Sequence, residues 1–345
     1  MGYALAGSDF GSAGWALEQA VPAQRATVAA FTEIYGKPRR TIGWGSSMGG
    51  LISTALAEEA RPAIQGAIAL CPSIGGAVGM MNMALDGAFA FSILAAPDAG
   101  IELVSIKDDM ANGGRARTAV AAALTSPQGR ARLALAGVLG GLPNWSRTDR
   151  PRPAPDDLEA QVDEMGAAFV LGIVFPRADQ EARAGGAFSW NTGIDYAAQL
   201  KLSGRRAMIE ALYRKAGLSL DADLAKLAAA PRIAAKPGAV DYMLRHYTPT
   251  ARPRVPLISL QAIGDGMTSP SLQRSYVEAA NPRMVRGLWQ NAAGHCRQPV
   301  EVAVTALHYL EARLDRGRWP KTPVSLVPHS PAPMLRPCLR GRTCK

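Results

Sequence analysis

The sequence has few of the residues from which metal and cofactor sites are built. Its 345 residues include only four histidines and four cysteines, and none of them has the spacing of a metal site. No G-K-[ST] phosphate loop occurs, and the glycines around residue 45 miss the dinucleotide-binding pattern G-x-G-x-x-G by one residue. We therefore expect neither a metal ion nor a cofactor.

Long apolar segments are also missing. The longest apolar run in the middle of the chain, residues 166–175, has ten residues, whereas a membrane-spanning helix needs about 20. The first residues, MGYALAGSDF, lack the charged start and apolar stretch of a signal peptide. The sequence therefore predicts no membrane span, and it contains no recognisable signal peptide.

Acidic residues are absent from the last part of the chain. Seven of the ten net positive charges lie between Arg316 and Lys345, in a segment with six prolines and no acidic residue. This composition predicts a basic, proline-rich tail over residues 317–345 that is solvated or wraps the surface. Because no periodic element mixes aromatic and basic residues, the charge does not indicate a nucleic-acid partner.

Apolar patterns predict strands that alternate with helices near both ends of the chain. The predicted strands are 3–9, 40–45, 66–73, 255–265 and 284–290. This alternation predicts parallel pairing in an α/β sheet. Helical spacing dominates between them, with a proline-rich break at 148–157. We therefore predict an α/β core from residues 1–75 and 251–316, interrupted by a helical insertion over residues 76–250.

The segment Gly45-Ser46-Ser47-Met48-Gly49 lies between a predicted strand and a predicted helix. It fits the pattern G-x-S-x-G, centred on Ser47. A serine at a sharp turn of this kind is held in a strained conformation, and glycine on either side avoids a collision. The helix start supplies backbone N–H groups, that of Met48 among them, that can stabilise a negatively charged oxygen. The pattern predicts Ser47 as a nucleophile and Ser46 as its flank.

A serine hydroxyl becomes a good nucleophile only when a base takes its proton. Among the four histidines, His295 lies in a loop after the last predicted strand. His308 falls in a helix, His329 in the tail and His246 in the insertion. We therefore predict His295 as the base.

The base needs an acid that orients its ring and stabilises its charged form. Asp265 lies just after a predicted strand in the glycine-flanked turn SLQAIGDGMTS. Aspartate is also common in such turns for structural reasons, and Asp241 and Glu278 are alternatives. The chain order of serine, aspartate and histidine favours Asp265.

The segments GWGSSMGG, SLQAIGDG and GHC resemble the α/β-hydrolase superfamily, in particular bacterial esterase- or peptidase-like members with a large helical cap. The resemblance covers residues 1–75 and 251–316, and it implies a mostly parallel sheet and acyl-transfer chemistry. It also implies earlier strands, and a loop that donates a second hydrogen bond to the oxyanion. This sequence starts too late to include them, so we expect a sheet without its first N-terminal strands. The alternatives are that the chain is a fragment or has a mis-assigned start, or that Gly7, Ser8 or another local backbone group supplies the second donor.

Two cysteines, Cys71 and Cys296, follow predicted strands near the predicted site, and Cys296 is next to His295. A disulfide between them would fix the histidine loop, and two unpaired buried thiols fit the sequence equally well. A cysteine after the histidine is similar to tannase and feruloyl-esterase relatives. In those relatives the other cysteine directly precedes the serine, a place held here by Ser46.

The remaining cysteines, Cys338 and Cys344, can close a small loop in the tail. An even cysteine count in two plausible pairs favours an exported protein.

These observations predict a serine hydrolase that cleaves a carboxylic ester of a small molecule through an acyl-enzyme intermediate. An amidase or peptidase with the same three residues, and a non-catalytic binding protein, are the alternatives. The insertion carries aromatic residues that either line a pocket or form its core: Phe89, Phe91, Phe188, Trp190 and Tyr196.

Overall fold

The computed structural model describes residues 2–174 and 176–344. Phe175, the last residue of the apolar run, and Lys345, the last of the predicted tail, lie outside the described residues, as does Met1. The first part of the chain forms α1 (Leu17–Tyr35), β1 (Ile42–Ser46), α2 (Met48–Glu58) and β2 (Gly66–Leu70). The last part forms β3 (Leu257–Gly264), α12 (Pro270–Ala279), β4 (Val285–Ala293) and α13 (Val300–Arg316).

Nine further helices lie between β2 and β3 within the described ranges. They are α3 (Ala77–Leu94), α4 (Asp109–Ala123), α5 (Pro127–Leu139), α6 (Leu158–Gly172), α7 (Ala178–Ala184), α8 (Tyr196–Leu202), α9 (Arg206–Lys215), α10 (Leu220–Ala229) and α11 (Pro237–Tyr247). These nine helices occupy most of the stretch for which a helical insertion is predicted. Helical spacing had indicated α3, α6, α9, α10 and α11, but not the alanine-rich or short helices α4, α5, α7 and α8.

The four strands form one parallel sheet in the order β1-β2-β3-β4. Every residue of β2 and β3 is buried, as expected for central strands covered on both faces. Helix α13 packs on one face of the sheet, and α2 and α12 pack on the other. Because the strands are parallel, their carboxyl ends meet at one edge, where ligands bind in open α/β sheets. The predicted α/β class is confirmed.

The predicted strand over residues 3–9 is wrong. Residues 2–10 form no strand, and Leu5 is 98% exposed. The Tyr3 hydroxyl donates instead to Glu311 on α13. Small alanines between Gly2 and Gly7 bury too little apolar surface to hold this segment on the sheet. Strand β1 is consequently the outer strand, and no described residue pairs with its free side.

The insertion has a hydrophobic core of its own, built mainly from α3, α5 and α6. Four of the five aromatic residues considered for a pocket, Phe89, Phe91, Phe188 and Tyr196, are almost fully buried. They therefore form core rather than a pocket wall. Helix α3 is long and apolar enough to cross a membrane by length and composition, and most of it is buried inside the protein.

Parts of the predicted tail pack into the protein, which corrects the expectation of a solvated or surface-wrapping segment. Met334, Leu335 and Cys338 are buried, and Arg336 is 0% exposed. The Arg336 guanidinium pairs with the carboxylate of Asp86 on α3 at 2.7 Å and donates to the carbonyl of Trp190 at 3.0 Å. Charges and prolines in the tail predict exposure, but the apolar residues between them are the ones that pack into the protein.

Candidate active site

Ser47 occupies the turn between β1 and α2 in a strained conformation, with φ of 56° and ψ of −119°. A Cβ atom on Gly45 would lie 2.1 Å from the carbonyl oxygen of Gly49, and one on Gly50 would lie 2.7 Å from the side chain of Pro72. Gly49 itself has room for a Cβ, so the turn requires glycine at 45 and 50 rather than at 45 and 49. The geometry lifts the Ser47 side chain above the sheet edge.

The side chains of Ser47, His295 and Asp265 form a continuous hydrogen-bonded chain. The Ser47 Oγ lies 2.9 Å from His295 Nε2, and His295 Nδ1 lies 2.9 Å from Asp265 Oδ2. An ionised carboxylate can only accept, so Nδ1 carries the proton and Nε2 is left to accept the serine hydroxyl. The structure therefore brings together three residues that lie 218 and 30 positions apart in the sequence.

The carboxylate of Asp265 is 0% exposed and is fixed by its own loop. Its Oδ1 accepts hydrogen bonds from the backbone N–H groups of Met267 and Thr268, at 2.9 and 3.0 Å. The Thr268 hydroxyl lies 2.9 Å from Asp265 Oδ2 and 3.2 Å from His295 Nδ1. No motif in the sequence indicates Thr268, although its place three residues after a turn aspartate is typical of a side chain that closes such a turn.

Cys71 and Cys296 form a disulfide with a Cα–Cα distance of 5.3 Å. Both cysteines have positive φ angles, 41° and 53°, a region that side chains other than glycine rarely adopt. The Sγ of Cys296 lies 3.3 Å from His295 Nε2. The bond thus ties the loop of His295 to the end of β2, one strand away from Ser47.

Sulfur atoms and a histidine nitrogen lie within 4.8 Å of one another in this place, an arrangement that can hold a metal ion. The two sulfurs are bonded to each other, and metal coordination by cysteine needs free thiolates.

A narrow cleft opens above Ser47. The sheet side contributes the hydroxyl residues Ser47, Ser73 and Thr268. The remaining wall is mainly apolar and comes largely from α3 and α6: Trp15, Met80, Met81, Ala84, Leu171, Gly172 and Met267. Sequence patterns gave no signal for these wall residues, because the same apolar side chains occur throughout the helical cores.

The alternatives for the base and the acid lie elsewhere. Asp241 and His246 are on α11, and Glu278 on α12 pairs with Arg274 at 2.7 Å. His308 is exposed on α13. The ring of His329 packs against Trp289, and burial lowers its pKa below the ordinary value. Of the predicted bases, His295 contacts Ser47, and of the predicted acids, Asp265 contacts His295.

The parallel sheet, the strand–turn–helix at Ser47 and the groups at the carboxyl ends of the strands define a hydrolase of the α/β-hydrolase class. No protein-family model matches the chain. The o-phthalyl amidase of Xanthobacter agilis is 31% identical over 327 residues, which span 85% of this chain and 71% of that enzyme. The chain belongs to the family of this amidase.

Solved structures of two Aspergillus oryzae proteins are distantly similar. An esterase has a TM-score of 0.36 and 12% identity, and feruloyl esterase B has a TM-score of 0.36 and 11% identity. The matches cover 89% and 88% of this chain and 66% of each esterase. The chain thus spans just under two thirds of the length of these esterases.

Proposed function

We propose that the protein is a serine hydrolase in which Ser47 is the nucleophile, His295 the general base and Asp265 the acid that orients it. The observation that carries this proposal is the pair of 2.9 Å contacts on either side of the imidazole ring. A proton can pass from the Ser47 hydroxyl to Nε2 without any rearrangement, because the ring is already hydrogen-bonded on both nitrogens. The strained turn at Ser47 acts as a nucleophile elbow.

The reaction proceeds through an acyl-enzyme. The Ser47 Oγ attacks the substrate carbonyl carbon as its proton moves to His295, and the C=O electron pair moves onto the oxygen. When the tetrahedral intermediate collapses, His295 protonates the leaving amine or alcohol. A water molecule then attacks the acyl-enzyme, gives its proton to His295 and releases the carboxylic acid. Asp265 stays ionised and stabilises the imidazolium.

The bond cleaved is the next part of the proposal. We infer an amide, because the 31% identical relative is an amidase. The carboxylic ester predicted from the sequence remains the second candidate, since the same three residues attack both carbonyls. The amide is the harder test of the site, because the amine leaves only after His295 has protonated it.

The acyl group is proposed to be small and aromatic. The cleft above Ser47 is narrow, which favours a small acyl group. Its wall of methionine, leucine and tryptophan side chains suits a flat apolar ring, and Met80 and Met81 can adjust to the ring's shape. The relative's name contains an aromatic acyl group, o-phthalyl. The helical insertion acts in this proposal as a cap that excludes water.

A fluorophosphonate probe tests the nucleophile. We expect it to label the wild-type protein and the Ser46→Ala variant, and not the Ser47→Ala variant. Ser46 is the matched control, since it is the adjacent serine on the exposed edge of β1. Labelling of Ser47→Ala would overturn the assignment, and no labelling of folded wild-type protein would favour the non-catalytic binding protein.

Matched substrates test the bond. The 4-nitroanilide and 4-nitrophenyl ester of benzoic acid, and those of phthalic acid, share an acyl group and differ in the leaving group. We expect Ser47-dependent release from both members of at least one pair. Release from the esters alone would make the protein an esterase and overturn the amidase proposal.

A further inference from the structure

The loop after β2 places a second hydroxyl beside Ser47. The backbone N–H of Ser73 donates to the carbonyl oxygen of Ser47 at 3.4 Å, so the two residues are neighbours across the loop. Ser73 lines the same cleft as Ser47 and is 2% exposed as a residue. Its position is fixed, because Cys71, two residues earlier, is bonded to Cys296.

Of the three hydroxyl residues that line the cleft, Ser73 differs from the other two in its side-chain contacts. The Thr268 hydroxyl contacts Asp265 and the carbonyl of Cys71, and the Ser47 hydroxyl contacts His295. The Ser73 side chain has no hydrogen-bond partner within residues 2–174 and 176–344. Ser73 lines the cleft, so its hydroxyl is available to a molecule bound there. Such a group in a cleft is typical of one that pairs with bound substrate.

The proposed reaction needs more than one hydrogen-bond donor for the oxyanion. The N–H of Met48 is free of acceptors inside α2, because it belongs to the first residue of the helix. One N–H provides only part of the stabilisation that a tetrahedral oxyanion needs. Gly7 and Ser8, two candidates for the second donor, are exposed and do not line the cleft. The structure therefore does not bring these two residues to the cleft.

We propose that the Ser73 hydroxyl is the second oxyanion donor. This inference rests on the proposed function of Ser47. When Ser47 Oγ bonds to the carbonyl carbon, the C=O electron pair moves to the oxygen. That oxygen then accepts hydrogen bonds from the Met48 N–H and the Ser73 O–H. Ser73 keeps its proton throughout, so it stabilises charge without forming or breaking a covalent bond.

The test is Ser73→Ala, with Ser189→Ala as the matched control. Ser189 is also fully buried, and its hydroxyl has no partner among the described residues, but it does not line the cleft. Removing one oxyanion donor lowers kcat by about 100-fold to 1,000-fold. We expect Ser73→Ala to lose kcat in this range on 4-nitrophenyl benzoate, with KM changed less than about 3-fold because the ground-state carbonyl needs the donor less. We expect Ser189→Ala to retain the wild-type kcat.

A transition-state analogue separates this role from a structural one. Phenylboronic acid forms a tetrahedral, negatively charged adduct with a reactive serine, so its inhibition constant should rise with the loss of kcat/KM in Ser73→Ala. Equal thermal unfolding midpoints for both variants would exclude misfolding as the cause. If the wild type has Ser47-dependent activity and Ser73→Ala keeps its kcat within about 3-fold, the Ser73 proposal is overturned and the proposed function stays intact. Absence of any Ser47-dependent activity in the wild type would overturn both.

Discussion

Removing the Cys71–Cys296 disulfide should weaken both the fold and the proposed reaction. The bond joins residues 225 positions apart, and the loop-entropy relation assigns a closed loop of that length a stabilisation of about 5 kcal/mol. The same relation gives about 2 kcal/mol for Cys338–Cys344, which joins residues only 6 apart. The variants Cys71→Ala with Cys296→Ala, and Cys338→Ala with Cys344→Ala, therefore differ in predicted cost by about 3 kcal/mol.

Loss of the Cys71–Cys296 disulfide should also lower kcat, because the bond holds the backbone next to His295. Cys71 and Cys296 are held at positive φ, which costs a non-glycine residue about 1–2 kcal/mol. Without the bond, Cys296→Ala can relieve this strain by turning to negative φ, and such a turn moves His295 directly before it. A displacement of about 1 Å in a reacting group can lower a rate about 100-fold. We expect kcat to fall by about 10-fold to 100-fold in the first variant and to be unchanged in the second.

Urea unfolding followed by tryptophan fluorescence, with kcat measured on an activated ester, provides the assay. Both double variants and the wild type are measured without reductant. A variant without Cys71 and Cys296 that has a free energy of unfolding within about 1 kcal/mol of the wild-type value, and an unchanged kcat, would refute both expectations. A larger loss in the Cys338 and Cys344 variant would refute the dependence on loop length.

Three further regions yield predictions of their own. Gly45→Ala places a Cβ 2.1 Å from the carbonyl oxygen of Gly49 and should abolish fluorophosphonate labelling, whereas normal labelling would contradict the turn geometry. Arg336→Met leaves the buried carboxylate of Asp86 without its cation and should lower the free energy of unfolding by about 3–5 kcal/mol; a loss below 1 kcal/mol in urea unfolding would contradict the burial. Burial outweighs pairing with Arg336 and raises the pKa of Asp86 from 3.8 to about 6. Folding therefore favours the neutral form of Asp86. The free energy of unfolding of the wild type, relative to that of Asp86→Asn, should fall by about 3 kcal/mol as the pH rises from 4 through 6. A difference in unfolding free energy that does not vary with pH would contradict this. Thr268→Val removes a hydroxyl contact to the ionised acid and should lower kcat by about 10-fold with little change in KM, and an unchanged kcat would show that the backbone N–H groups suffice.

Local patterns in the sequence were enough to place the candidate site. Ser47, Asp265 and His295 each follow a strand, and parallel pairing carries the ends of those strands to one edge. The pattern therefore predicted, without any knowledge of distances, that these three side chains lie close together, and the structure brings them within hydrogen-bond distance. Helical spacing between residues 76 and 250 likewise predicted helices there.

The errors arose where long-range packing decides the outcome. Residues 3–9 have the composition of a strand, yet no described strand pairs with them. Ser73 and Thr268 are ordinary loop residues in the sequence, and they line the cleft because the ends of β2 and β3 lie side by side. The burial of Arg336 was equally hidden, since it depends on a partner in α3. Sequence periodicity reports which face of an element is apolar, but it does not report what covers that face.

The contact between Asp86 and Arg336 joins residues 250 positions apart, and this separation bears on how the chain matures. At ribosomal rates of about 5–20 residues per second, Arg336 emerges on the order of 10–50 s after Asp86. During that interval α3 holds an acidic group among apolar helices with no guanidinium to neutralise it. The contact that neutralises Asp86 on α3, a helix that lines the cleft, therefore forms only after translation has passed β4.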